Sequence, residues 1–496
     1  MTSPRRSRAP LHPDRPMQPT DAFFWYAEAA APQVRPLVAG LFMLDRAPDR
    51  LRIRRSIQRL IAQLPRLRHR IVEPRLPIGL PHWADDPDFD LDYHLRHVVL
   101  PHSSTQQQLL DLVSALFATP LDHLRPLWEG YVIDGLEGGG AALFLKLHHS
   151  LMDGAGAMTL FDAMTQAGRD DPIRVPRSSR WPQPAETPAP TGPGMLWSAT
   201  SAVGQALLHP VATAGDLWRT VDKLRGMIAD FSALPGTDPL AVRCTGVGRR
   251  LDTVTFSLAH MRRLKSALGV SLNDLVLTAV AGAMGRYHEL HHIHLAEVSS
   301  VVPKDLRGER DPRAVGNHVG AFHVRLPVGE RGLLRRIERI RSQTAAAKGR
   351  RQAVAYGAVL QAVTVMPAAA FRAIANAVSG RVHLICSNVP GPPVERFLAG
   401  AKIDAVYPFA PVLFGIPVSI ALVSYGDVYA VGIDVDPAAI PDPQRLGEYL
   451  REEMAVIESY VHGRLRPAEV SPRGRVRPRR SHGKVVALTR PAGYGG

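Results

Sequence analysis

His148 and His149 are followed, after three residues, by Asp153-Gly154. An imidazole with its ordinary pKa of about 6.5 can take a proton from a hydroxyl at neutral pH and return it to a leaving group. The run Ala142-Leu143-Phe144-Leu145 before the pair reads as a buried strand, and Met158, Phe161 and Met164 after it recur at helical spacing. The histidines therefore stand where a strand ends, and Asp153 stands where a helix begins. Asp153 reads as an N-cap, and Gly154 reads as a turn residue. Side chains alternate along a strand. If it persists that far, His149 shares the face of Leu143, Leu145 and Leu147, and His148 shares the face of Phe144 and Lys146. One ring then faces a cleft while the other packs behind it.

Other chemistries find little support. No serine sits in a Gly-x-Ser-x-Gly turn, and neither Cys244 nor Cys386 has a motif histidine beside it, so a covalent enzyme intermediate is not indicated. His94 has no Cys or His at metal-ligand spacing, and no metal site is expected. Two cysteines in 496 residues make no disulfide framework and fit a cytosolic setting. The basic N-terminus is not followed by an apolar segment, so no signal peptide is read. The uncharged run from Gln352 to Phe371 contains Gln361, Thr364 and Pro367 and reads as a buried helix, not a membrane span. Much of the net charge of +15 lies at the ends: residues 1–18 carry four Arg against one Asp, and residues 464–496 carry nine Arg and Lys against one Glu. Such tails suit anionic lipid or nucleic acid, but the body lacks the interleaved aromatic and basic residues of a nucleic-acid groove.

Length and composition imply two domains. The reading places a basic tail at 1–18, a first domain at 19–169 and a crossover at 170–248. It continues with a second domain at 249–463 and an Arg-rich tail at 464–496. The crossover opens with a proline-dense stretch (Pro172 to Pro193), followed by residues 196–234, helical and apolar on one side. Thr20 is expected to cap a helix that begins the ordered chain, with the aromatic cluster Phe23-Phe24-Trp25-Tyr26 turned to the core. Ser271 or Asn273 is expected to cap a helix that starts at Leu272.

The stretch from His148 to Gly154 resembles the active-site motif of the bacterial wax ester synthase / diacylglycerol acyltransferase family. The shorter pattern His-x-x-x-Asp-Gly is shared across the CoA-dependent acyltransferase superfamily. Further segments bring the resemblance to this branch: Asp21-Ala22 before aromatics, Phe89-Asp90 leading to His94, Pro120-Leu121-Asp122 leading to Pro126-Leu127-Trp128, Asn273-Asp274, and Ser387-Asn388-Val389-Pro390-Gly391-Pro392. The chain departs from the family at His123, where Arg is usual, at Lys304-Asp305 in place of Val-Ser, and at Ser419 in place of Asn.

The resemblance implies an α/β fold of two chloramphenicol-acetyltransferase-like domains. Each is a mixed sheet flanked by helices, with an active-site tunnel at their interface. It implies transfer of a long-chain acyl group from acyl-CoA to diacylglycerol or a long-chain alcohol. Another hydrophobic alcohol, or a lipid-binding relative without turnover, remains open. His149 is then the general base, backed by His148. Asp153 is structural, paired with Arg307, and Gly154 permits a tight turn. Asn273, or a backbone N–H near Ser387-Asn388, stabilises the oxyanion, and Asn317 is a further supporting residue. No cofactor is expected beyond acyl-CoA as substrate. The location expected is cytoplasmic, in peripheral contact with the inner face of the membrane or a lipid droplet.

Overall fold

The computed structural model describes residues 15–30, 35–74, 80–175, 238–307, 316–349, 381–412 and 415–465. The expectations for the proline-dense stretch beyond residue 175, for 196–234, for the run at 352–371, and for most of both tails fall outside these residues.

In chain order the first half runs β1 (Arg15–Pro16), α1 (Pro19–Ala30), β2 (Leu37–Leu44), α2 (Arg50–Gln63), β3 (His69–Val72), β4 (His82–Asp85), α3 (Leu91–His94), β5 (Leu95–Ser104), α4 (Gln106–Ala118), β6 (Trp128–Leu136), β7 (Ala141–His148) and α5 (Gly154–Met164). The second half runs β8 (Arg250–Ser257), α6 (Leu258–Leu268), α7 (Leu272–Leu290), β9 (Val298–Asp305), β10 (Val319–Leu326), α8 (Leu333–Gly349), β11 (Leu384–Val389), β12 (Phe397–Leu398), β13 (Ala401–Phe409), β14 (Val418–Tyr425), β15 (Val428–Val435) and α9 (Pro443–Leu465).

Two six-stranded mixed sheets carry the fold. The first has the order β12-β13-β2-β7-β6-β5, and the second β10-β9-β11-β14-β15-β8. Strand β7 lies inside the first sheet, paired antiparallel with β2 and β6, and each of its residues is buried. A strand covered on both faces needs a nearly continuous apolar run, as Ala141–Leu147 provides. Its one charged residue, Lys146, is compensated. Lys146 Nζ meets Glu129 at 2.7 Å and donates to the Leu116 and Thr119 carbonyls at the C-terminal end of α4, where a cation suits the helix dipole.

The second-domain boundary at 249–463 needs correction. Strands β12 and β13 fall inside that span, yet β13 pairs antiparallel with β2 of the first sheet. Without it, β2 would be an edge with unpaired amides and carbonyls. The crossing is tight: a Cβ on Gly432 of β15 would lie 1.9 Å from the Pro408 carbonyl oxygen of β13. Any larger residue there would push the two sheets apart.

Helix α7 is apolar on nearly all sides and lies inside the second core. It packs on the sheet face that carries Leu384, Cys386 and Ile420. The opposite face, with Ile385, Ser387 and Ala421, borders a cavity between the sheets.

Candidate active site

Asp153 caps α5, its Oδ1 accepting from the Gly156 N–H at 2.9 Å. Three more donors converge on the same carboxylate. Arg307 Nη2 lies 2.8 Å from Oδ1, and Arg307 Nη1 and the His318 N–H each lie 2.9 Å from Oδ2. The Arg307 side chain is only 3% exposed. This is a two-pronged guanidinium–carboxylate pair that ties the motif loop of the first half to the end of β9 in the second. Asp305 adds a second carboxylate, at 3.1 Å from Nη1 of the same arginine. Lys304, the other departure at this corner, is exposed and borders the outer cavity described below.

His149 leaves the strand register just after β7, donating its N–H to the Pro36 carbonyl at 2.6 Å. With Leu145 and Leu147 it borders the inner cavity. Its Nδ1 lies 2.9 Å from Asn317 Oδ1, and its ring stacks on Phe24 at 3.9 Å between centroids. Among the described residues Nε2 has no protein partner. Burial pulls the imidazolium down to about 4, against the Asp153 charge and the ring's hydrogen bonds to Asn317 and its own backbone. The ring is therefore neutral at pH 7.

His148 turns the other way, to the Lys146 face, and is fully buried. Its Nδ1 accepts from the Ser150 N–H at 3.1 Å, so the proton of the neutral ring is on Nε2, which donates to Glu28 Oε2 at 3.0 Å. Glu28 Oε2 also meets His123 Nε2 at 3.1 Å. Burial alone would raise the Glu28 carboxyl, but the hydrogen bonds from His123 and His148 outweigh it and bring it down to about 2. Glu28 in turn raises His123. The position where the family usually has Arg thus keeps a contact to an acid, now through a titratable ring whose charge Glu28 favours.

Two cavities meet at the motif. The inner one, about 250 Å³, has walls of Phe, Leu, Val, Ala and Pro, and its only polar side chains among the described residues are His149, Asp153 and Ser387. The outer one, about 540 Å³, is bordered by Gln63, Thr159, Asp162, Lys304, Asp305, Arg307 and Asn388 among others. Gly154, Met158, Pro303, Ser387 and Val389 border both. Gly154 has a steric reason to be glycine: a Cβ there would stand 2.8 Å from Val389 Cγ2, at the neck between the cavities.

Two expected roles change, those of Asn273 and Thr20. Asn273 borders neither cavity, because α7 lies behind the second sheet; Ser271 caps that helix in a capping box with Asp274, whose other oxygen accepts from Thr344 Oγ1 at 2.7 Å. Strand alternation turns Asn388 to the face of Cys386, away from the inner cavity, and leaves Ser387 facing it. Thr20 lies within α1, not at its cap, and its hydroxyl donates to the Asn317 carbonyl at 2.7 Å. His94 is a core residue, stacked on Trp128 with Nδ1 on the Trp128 carbonyl at 2.7 Å. The Ser419 hydroxyl is buried without a partner among the described residues, and nothing in the structure explains the departure there.

Sequence reading missed the part played by α1. Asp21, Phe24, Trp25 and Glu28 form one buried stripe at helical spacing. Asp21 reaches Asn317, Phe24 covers His149, and Glu28 holds His148. The available signal was two acids seven residues apart on an otherwise aromatic face.

Comparison with known proteins bears on the same residues. The family profile of the wax ester synthase/diacylglycerol acyltransferase catalytic domain matches residues 17–276, and that of the WS/DGAT C-terminal domain matches residues 315–458. A Mycobacterium tuberculosis protein named as a diacylglycerol O-acyltransferase is 30% identical over 466 residues, covering 90% of this chain and 93% of its own. The O-acyltransferase WSD of Acinetobacter baylyi is 29% identical over 469 residues, covering 90% and 98%. Among solved structures, the wax ester synthase/diacylglycerol acyltransferase from Marinobacter aquaeolei VT8 superposes with a TM-score of 0.64 at 24% identity, covering 90% of this chain and all of the other. The first condensation domain of the calcium-dependent antibiotic synthetase superposes with a TM-score of 0.57 at 15% identity, covering 91% and 96%. These two likenesses show the fold.

Proposed function

The chain belongs to the wax ester synthase/diacylglycerol acyltransferase family and is an acyltransferase, and from that premise we propose that it moves a long-chain acyl group from acyl-CoA to the hydroxyl of diacylglycerol or of a long-chain alcohol, with His149 as general base. The observation that carries this reading is a neutral His149 whose Nε2 has no protein partner among the described residues, on the wall of a largely apolar cavity. The inner cavity takes hydrocarbon. The outer cavity takes the pantetheine arm, whose thioester then lies at the neck beside His149.

The transfer is direct. Nε2 takes the hydroxyl proton as the oxygen attacks the thioester carbonyl, and the tetrahedral oxyanion forms. The C–S bond then breaks, and the imidazolium returns its proton to the departing thiolate, giving ester and free CoA. Low basicity costs something in the first half and helps in the second, because an imidazolium of pKa about 4 gives up its proton readily. The Ser387 hydroxyl, which borders both cavities, is the oxyanion donor in place of Asn273. No cofactor enters these steps. An acceptor dissolved in lipid brings the enzyme to the cytoplasmic face of a membrane or to a lipid droplet, and the basic tails suit either surface.

The test is CoA release, followed by thiol titration, from purified protein given palmitoyl-CoA with dipalmitoylglycerol or hexadecanol. Release that depends on the acceptor supports the reading and ranks the two alcohols. Binding of palmitoyl-CoA without stimulation by either points to another hydrophobic alcohol, and absence of binding removes the long-chain acyl-CoA as donor.

A pH profile follows from the same ring. The base must be deprotonated, so activity rises with pH through its pKa. We expect kcat/KM to stay flat from pH 8 to about 5 and to fall with a midpoint near 4, where an ordinary histidine would give about 6.5. Rates corrected for the folded fraction at each pH would check this, and a midpoint near 6.5 would contradict it.

A further inference from the structure

Asn317 is almost fully buried, and each of its polar groups is committed. Its backbone N–H donates to Asp21 Oδ1 at 2.8 Å, and its carbonyl accepts from Thr20 Oγ1 at 2.7 Å. Its Nδ2 donates to Asp21 Oδ1 and to the His149 carbonyl, each at 2.8 Å. Both partners of that nitrogen are acceptors only. Turning the amide over would set its oxygen against a carboxylate and a carbonyl at those distances, so the network fixes which end faces the ring. The end that remains, Oδ1, meets His149 Nδ1 at 2.9 Å and can only accept. Nδ1 must then carry the hydrogen of the neutral ring.

We propose that Asp21, acting through Asn317, is a positioning residue that holds neutral His149 in the Nδ1–H tautomer and leaves Nε2 bare for the acceptor hydroxyl. The inference rests on His149 as the base. Asp21 is itself anchored. It is completely buried in the first turn of α1, with Arg66 Nη1 at 3.1 Å from its other oxygen, and the same Arg66 nitrogen bonds the Leu151 carbonyl in the motif loop. Phe24, one turn further along α1, stacks on the ring and holds its plane. One helix thus sets both the orientation and the protonation pattern of the base.

The test joins kinetics to nitrogen NMR of protein labelled with 15N-histidine, the His149 signals being assigned by their loss in His149→Ala. At pH 7 the wild-type ring should show a protonated Nδ1 and a bare Nε2. Asn317→Ala, or Asn317→Ser should the first variant fail to fold, should give a mixture of tautomers. It should lower kcat by about tenfold, the scale of one hydrogen bond in the transition state, with KM for acyl-CoA little changed. Asp21→Ala should move both readouts the same way. Asp21→Asn should restore them, because one amide oxygen can still accept from both N–H groups of Asn317. The proposal is overturned if the tautomer survives in Asn317→Ala, if kcat falls with the tautomer unchanged, or if Asp21→Asn loses as much as Asp21→Ala. The tautomer is read without turnover. Failure of the base assignment, seen as full transfer by His149→Ala, is therefore distinguishable from failure of this one.

Discussion

His149→Ala is expected to lower acceptor-dependent CoA release by roughly 10²–10⁴-fold, the usual contribution of a general base, and to leave the unfolding transition almost where it was. Among the described residues the ring bonds one other side chain and its own backbone, stacks on Phe24, and partly faces a cavity. Its loss frees Asn317 Oδ1 but leaves the amide nitrogen bonded, a cost of about 1 kcal/mol. His148→Ala is the informative contrast. That ring is fully buried and shares Glu28 with His123. Removing it leaves a buried carboxylate held by His123 and takes the partner from the Ser150 N–H, so about 2–4 kcal/mol of stability should go with it. Urea unfolding of both variants beside their rates separates the two roles. Loss of activity with unchanged stability in His148→Ala, and the reverse in His149→Ala, would exchange the assignments.

The unequal roles of the two histidines were partly legible in the chain because the cues are local. A period of two along β7 assigns neighbouring side chains to opposite faces, and an Asp-Gly after an apolar run marks a capped helix. What supports those rings was not legible. Glu28 meets His148 across 120 residues, and Asp21 meets Asn317 across 296. In the sequence both acids sit on a stripe that reads as an ordinary core face. Strand β13 shows the same limit: its pattern says strand, but only the free edge of β2 decides which sheet it joins. Asn273 failed for a related reason. Position in a capping sequence says nothing about which side of a sheet the helix will cover, and α7 covers the side away from the cavity.

The second large effect is expected at the ion pair that ties the halves together. Arg307→Ala and Asp153→Ala should each lower kcat/KM by about 10²-fold or more, because the loop that carries His149 loses its anchor. The double variant should be little worse than either single one. A buried, two-pronged pair broken from one side leaves the other charge stranded, at about 3–5 kcal/mol, whereas removing both charges avoids that penalty. The two single variants should differ in stability. Without Asp153, Arg307 still has Asp305 at 3.1 Å and donates to the Gly316 carbonyl at 2.7 Å. Without Arg307, Asp153 keeps only backbone donors among the described residues and Asp305 loses the cation it meets there, so Arg307→Ala should be the less stable protein. Arg307→Lys should restore little, because an ammonium cannot span both carboxylate oxygens. Rates and urea midpoints for the wild type, the two single variants and the double variant close the cycle. Losses that add to within about 0.5 kcal/mol would mean that Asp153 and Arg307 act independently, and the loop would need another anchor.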